Sequence, residues 1–164
     1  MAIDDLGPAE RFAAGAIGEP GSRRFFLVAT VDGVDHAVLA EKAQVAALAA
    51  RGVEILLDNE VDSDDGAVER LVEAGLEFDD PGEGRFRAGD ITLGLTPAQL
   101  IIVTIEDAES EQGMRFMISP EQFRAMARVA LQVVAAGRPM CRWCNLPMNP
   151  EGHECPARNG HHAH

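Results

Sequence analysis

The sequence predicts an α+β fold: an antiparallel sheet from two β-β-β-α halves, helices on one sheet face, and a C-terminal zinc knuckle. Three observations carry this. Short apolar runs joined by tight turn signals come in threes, which builds meanders rather than parallel crossovers. One amphipathic helical stretch follows each set of three. All three cysteines of the 164-residue chain fall between positions 141 and 155.

Residues 11–18 (RFAAGAIG) and 23–31 (RRFFLVATV) read as strands joined at Glu19-Pro20-Gly21-Ser22, since Pro and Gly set turn dihedrals. Asp32-Gly33 accepts the positive φ of a hairpin turn and hands over to a third strand at 34–41, VDHAVLAE. A helix follows from about Lys42, with Val45, Leu48, Ala49, Ile55 and Leu56 near one face and Gly52 weakening its middle. A shorter helix capped by Asp64 or Asp65 carries the stripe Val68, Leu71, Val72 and Leu76, before Pro81-Gly82-Glu83-Gly84 breaks the chain. The strand pattern then returns at 85–95 (RFRAGDITLGL), 100–107 (LIIVTIED) and 114–118 (MRFMI). Ser119 as N-cap, Pro120 at N1 and Gln122 at N3 open the last helix with a capping box. Its buried face is Phe123, Met126, Ala127, Ala130, Val133 and Val134, and Gly137 ends it.

At an offset of 78 residues LAEKAQVAALA (39–49) aligns with MISPEQFRAMA (117–127), pairing Gln44 with Gln122, Val45 with Phe123 and Leu48 with Met126. Identity is low, which leaves open both an internal duplication and a chance match between two strand-to-helix junctions. The expected division is an α+β domain over 1–137, with an acidic helical excursion at about 54–83, and a metal-binding tail over 138–164.

Composition narrows the function. Apolar content of 46% and charged content of 25% suit a soluble globular protein. No run approaches the roughly 20 apolar residues of a membrane span. The start, MAIDDLGPAER, lacks the basic and apolar regions of a secretory signal, so a cytoplasmic setting is expected, where thiols stay reduced. The net charge is -13, and the stretch from Glu54 to Glu83 holds twelve acidic residues against Arg70 alone. No basic face is visible, which disfavours nucleic acid as a partner. The acidic run reads as a solvated, partly mobile excursion, with a docking surface for a basic partner as the sharper alternative.

Cys141, Cys144, His153 and Cys155 spell C-x2-C-x8-H-x-C. Two cysteines two residues apart converge when the backbone between them turns, and a nearby His/Cys pair completes a tetrahedron of soft donors that suits zinc. Pro147, Pro150, Gly152 and Pro156 keep the connecting loop stiff and non-helical. The competing reading is three free thiols and an exposed histidine, which would put thiols in an unusual Pro- and Gly-rich place. Four protein donors leave no open position for water, so the predicted zinc is structural. His161, His162 and His164 lie close enough in sequence to serve as substitute ligands. Trp143, between the first two ligands, either packs the knuckle onto the domain or contacts a partner.

Other candidates read as ordinary structure. Gly15, Gly18 and Gly21 beside Arg23 and Arg24 precede a strand, whereas a phosphate cradle needs a helix there. His36 has no nucleophile or acid at catalytic spacing, and Glu106, Asp107 and Glu109 lack the order of a calcium loop. No G-x-S-x-G, H-E-x-x-H or Walker loop occurs.

GRPMCRWCNLPMNPEGHECPARNG (137–160) resembles the closing signature of an actinobacterial domain family of unknown function, A-G-R-P-x-C-x-x-C-x-x-P-x-x-P-x-G-H-x-C-P-x-x-N-G. RFAAGAIGEPGSRRFFLVA (11–29), LAEKAQVAALA (39–49) and FRAGDITLGL (86–95) are similar as well, so the resemblance runs over most of the chain. It implies an intracellular actinobacterial protein with a zinc-knuckle-like tail ligated by Cys141, Cys144, His153 and Cys155, and it implies no reaction. The chain departs from the family in its GHHAH ending and its long acidic insert.

The leading expectation is a non-enzymatic binding or adaptor module for a protein partner, with structural zinc. The alternative is a hydrolase or transferase acting on an anionic metabolite through Arg23, Arg24, Arg85 or Arg87, because guanidinium forks suit such groups. A weak nucleic-acid contact through the knuckle comes third. Oligomeric state is left open.

Overall fold

The computed structural model describes residues 1–136, 142, 143 and 155. Within them the order is β1 (Ala2–Pro8), β2 (Arg11–Ile17), β3 (Arg24–Val31), β4 (Val34–Ala40), α1 (Lys42–Asp58), α2 (Asp65–Ala74), β5 (Ala88–Leu95), β6 (Ile101–Asp107), β7 (Gln112–Ile118) and α3 (Pro120–Ala135). The fold is α+β, as expected. Strand β1 was not expected: AIDDLGP has two acids, a glycine and a proline and no apolar alternation. It becomes a strand by pairing in parallel with β7, from Ala2 opposite Gln112 to Pro8 opposite Met117. Such a partner 110 residues away leaves no local signal.

In place of one combined sheet with helices on one face there are two sheets, ordered β1-β7-β6-β5 and β2-β3-β4. The chain changes sheets at two corners. Ala9 N donates to Met117 O at 2.8 Å, and the next residue, Glu10, donates to Thr30 O at 2.8 Å, so neighbours in sequence belong to different sheets. At the other corner Arg85 N donates to Ala37 O at 2.7 Å and Leu39 N to Phe86 O at 3.0 Å, before β5 pairs with β6. Each half therefore opens by lying parallel to the last strand of the other half, β1 along β7 and residues 85–87 along β4.

The helices repeat this exchange. Glu41 with Gln44, and Ser119 with Gln122, form capping boxes at the starts of α1 and α3. Gln44 Nε2 also donates to Ala88 O and Gly89 O at 3.1 and 2.9 Å, and Gln122 Nε2 to Ala9 O at 3.0 Å. Each capping glutamine thus ties its helix to the corner where the other half changes sheets.

Both sheets turn one face to a shared core that includes Phe12, Leu27, Val103, Ile105, Phe116, Phe123 and Met126. Phe12 and Phe116 bridge the sheets edge to face, with ring centroids 5.0 Å apart. Helices α1 and α3 meet at Gly52, where a Cβ would lie 1.9 Å from Phe123 Cζ. The glycine that weakens α1 locally is required by this close approach.

The acidic excursion is packed rather than solvated and mobile. Asp64 Oδ1 accepts from Gly66 N and Ala67 N to cap α2. Val68 and Leu76 are buried with Ala13 and Ala125, and Glu69 pairs with Arg128 on α3. Phe78 then covers the outer face of β2-β3-β4, packing against the buried Phe26, Val28 and Ala37. Apolar positions spaced along this segment anchor it, while Asp65, Glu69 and Glu73 remain in solvent.

Candidate functional site

Of the four predicted zinc ligands, Cys141, Cys144 and His153 lie outside the described residues. Cys155 is described, and its residue is 4% exposed. Trp143 is 55% exposed, with the Arg142 guanidinium 5.0 Å from its ring centroid. Among the described residues no group of three or more His, Cys, Asp or Glu side chains could hold a metal ion.

The strand arginines have different partners. Arg23 donates to the carbonyls of Ala136 and Val133 at 2.5 and 2.9 Å, clasping the C-terminus of α3 where carbonyls lack helix partners. Arg24 pairs with Asp80 and donates to Gly82 O, holding the segment after α2. Arg85 pairs with Asp4 at 3.0 Å, and its other nitrogen lies 3.1 Å from His36 Nδ1, bridging β1 and β4. Arg87 is exposed and has no ion pair among the described residues. Three of the four are thus occupied with internal partners.

The predicted solvated strand end at Glu106, Asp107 and Glu109 forms a closed turn. Asp107 accepts from Glu109 N at 2.9 Å and from Ser110 Oγ at 2.7 Å. The backbone donor first, and the hydroxyl second, hold its carboxyl below the ordinary aspartate value.

A cleft of about 540 Å³ lies between α1 and β5, lined by Gln44, Ala47, Leu48, Arg51 and Ile55 on one side and residues 89–93 on the other. Five consecutive strand residues can line one cleft only along the strand's edge, because side chains alternate between faces. β5 is indeed the end strand of its sheet. The corresponding place between α3 and β2 is largely filled by α2 and Phe78, leaving about 330 Å³. At the 78-residue offset Ala47 matches Ala125 and Arg51 matches Val129. On the strands the match slips by one, because β5 is irregular between Ala88 and Ile91. Ile91 and Leu93 then stand where Phe12 and Ala14 face the core, and Thr92 stands where Ala13 faces α2. The covered place is dressed with Ala13, Ala125 and Val129, and the open one with Thr92, Ala47 and Arg51, all three exposed. Sequence reading missed this cleft; its one signal was the change from Val129 to Arg51 between otherwise similar helix faces.

No helix among the described residues is long and apolar enough to cross a membrane. No curated protein and no solved structure matches the chain. The profile of one family matches residues 5–155, a span that takes in the second half of β1, strands β2 to β7, the three helices of the described residues and the four predicted ligands. The chain belongs to that family, DUF3090, described as a protein of unknown function.

Proposed function

We propose that the protein is a non-enzymatic binding or adaptor module whose C-terminal tail is held by structural zinc. The observation that carries this is the closed donor set Cys141, Cys144, His153 and Cys155 in a proline-stiffened loop. Thiolates and an imidazole suit zinc, and four protein donors leave no coordination position for a reacting water. Zinc here would fold the tail and stiffen a surface that presents Trp143 to a protein partner. The setting is the reducing cytoplasm of an actinobacterium, where clustered cysteines stay available to metal. The matched order of β2-β3-β4-α1 and β5-β6-β7-α3, with reciprocal exchange at both corners, supports an internal duplication as the origin of the two halves.

The reading is tested by affinity capture with the full-length chain from native lysate, with and without a zinc chelator. The expected result is one stoichiometric protein partner, retained without chelator and released with it. Capture of no stoichiometric partner under either condition overturns the adaptor role. The alternative, a hydrolase or transferase acting on an anionic metabolite, would use Arg87 or require Arg23, Arg24 or Arg85 to exchange their present partners.

A further inference from the structure

We propose that the cleft between α1 and β5 binds a small zwitterion with an apolar body, of the chemical class of an apolar α-amino acid. This goes beyond the adaptor reading and does not depend on whether the tail holds zinc. The volume of about 540 Å³ lies within the roughly 300–1,000 Å³ of small-molecule sites. Its floor is apolar: Leu48 is 5% exposed, and Ile91 and Leu93 are partly buried against the main core. Its walls carry opposite charges, Arg51 on the helix and Asp90 on the strand, both exposed. A ligand bearing only a carboxylate would satisfy Arg51 and face Asp90. A ligand bearing only an ammonium would do the reverse, and a zwitterion complements both charges.

Arg51 is available for this exchange. Its partner Glu54, at 3.0 Å, is a same-helix neighbour with both side chains more than half exposed, an arrangement that contributes little and gives way readily. The outer edge of β5 adds backbone groups that no strand pairs among the described residues, next to the Thr92 hydroxyl. The matched place between α3 and β2 supplies the contrast. There the dressing is apolar and the chain's own α2 fills the space, whereas here α1 stands off β5, a cation and a hydroxyl line the gap, and it stays open.

The test titrates the full-length chain calorimetrically with L-leucine, N-acetyl-L-leucine and L-leucinamide. Saturable binding of L-leucine is expected, with each derivative about tenfold weaker for loss of one charged contact. Arg51→Gln should erase the preference over the amide, and Asp90→Asn the preference over the acetylated form. Both positions are exposed, so neither substitution threatens the fold. Absence of saturable binding into the millimolar range overturns the proposal, as does binding that neither substitution alters.

Discussion

The places beside α3 and beside α1 follow strands and helices in the same chain order and differ in their packing. Next to α3 and β2 the chain presents Ala13 and Ala125, at 0% and 1% exposure, and lays Val68 and Leu76 of the acidic excursion over them. Next to α1 and β5 the matched positions are exposed, and Arg51 replaces Val129. The two places also differ in backbone: α3 packs closely along β2 and α2 packs on α3, whereas α1 makes no such close approach to β5. Side chains follow this difference: small apolar residues stand under α2, and a guanidinium, costly to bury, stands at the open place.

The largest expected difference comes from enlarging matched alanines. Ala125→Leu overpacks the seat of α2 and should destabilise by about 1–3 kcal/mol. Ala47→Leu projects into an open cleft and should change stability by no more than about 0.5 kcal/mol. Denaturant unfolding of both variants checks this, and equal losses would break the contrast.

Next are two matched glycines. A Cβ on Gly15 would lie 2.7 Å from the Phe78 ring, so Gly15→Ala must displace the ring that covers Phe26, at a cost of about 1–2 kcal/mol. On Gly94 the nearest neighbour is Ile102 Cβ at 3.8 Å, an ordinary contact, so Gly94→Ala should be neutral or stabilising by up to about 1 kcal/mol. Thermal unfolding of the two variants should move in opposite directions or leave Gly94→Ala unmoved.

The capping glutamines should behave alike, in keeping with the repeat. Gln44→Ala and Gln122→Ala each remove a cap and the bond to the far corner, and each should cost about 1–2 kcal/mol. A large effect at one position alone would argue that the halves are not energetically equivalent.

The smallest effect is electrostatic. Asp107 has its carboxyl lowered by Glu109 N and Ser110 Oγ, so its contribution is present above the unfolded aspartate value of 3.8. That contribution is lost as pH falls through the lower folded value. Amide exchange of the 107–112 turn should rise in that acid range, and Asp107→Asn should remove the pH dependence.

Local chemistry made much of this legible in advance. Ser119, Pro120 and Gln122 announced α3, Asp64 or Asp65 announced α2 (the cap is Asp64), and Asp32-Gly33 announced the β3–β4 hairpin, because caps and turns are specified by residues within four positions of each other. Strand β1 and the division into two sheets were invisible, since both depend on pairings such as Ala2 with Gln112 and Arg85 with Ala37. The acidic excursion looked solvated because its charges outnumber the few residues, Val61, Val68, Leu76 and Phe78, that anchor it. The cleft was hidden for the same reason as β1: Arg51 and Asp90 are 39 positions apart and meet one space only once β5 runs beside α1. The tail's proposed donor set rests on spacing alone, since Cys141, Cys144 and His153 lie outside the described residues.

Zinc in the tail is what separates a stiffened binding module from a bare α+β domain. Elemental analysis of the purified full-length chain, beside its Cys144→Ser variant, tests this most directly. About one zinc per chain is predicted, lost in the variant while the unfolding of the α+β domain is preserved. Less than about half an equivalent of zinc, or a zinc content that Cys144→Ser leaves unchanged, would contradict it.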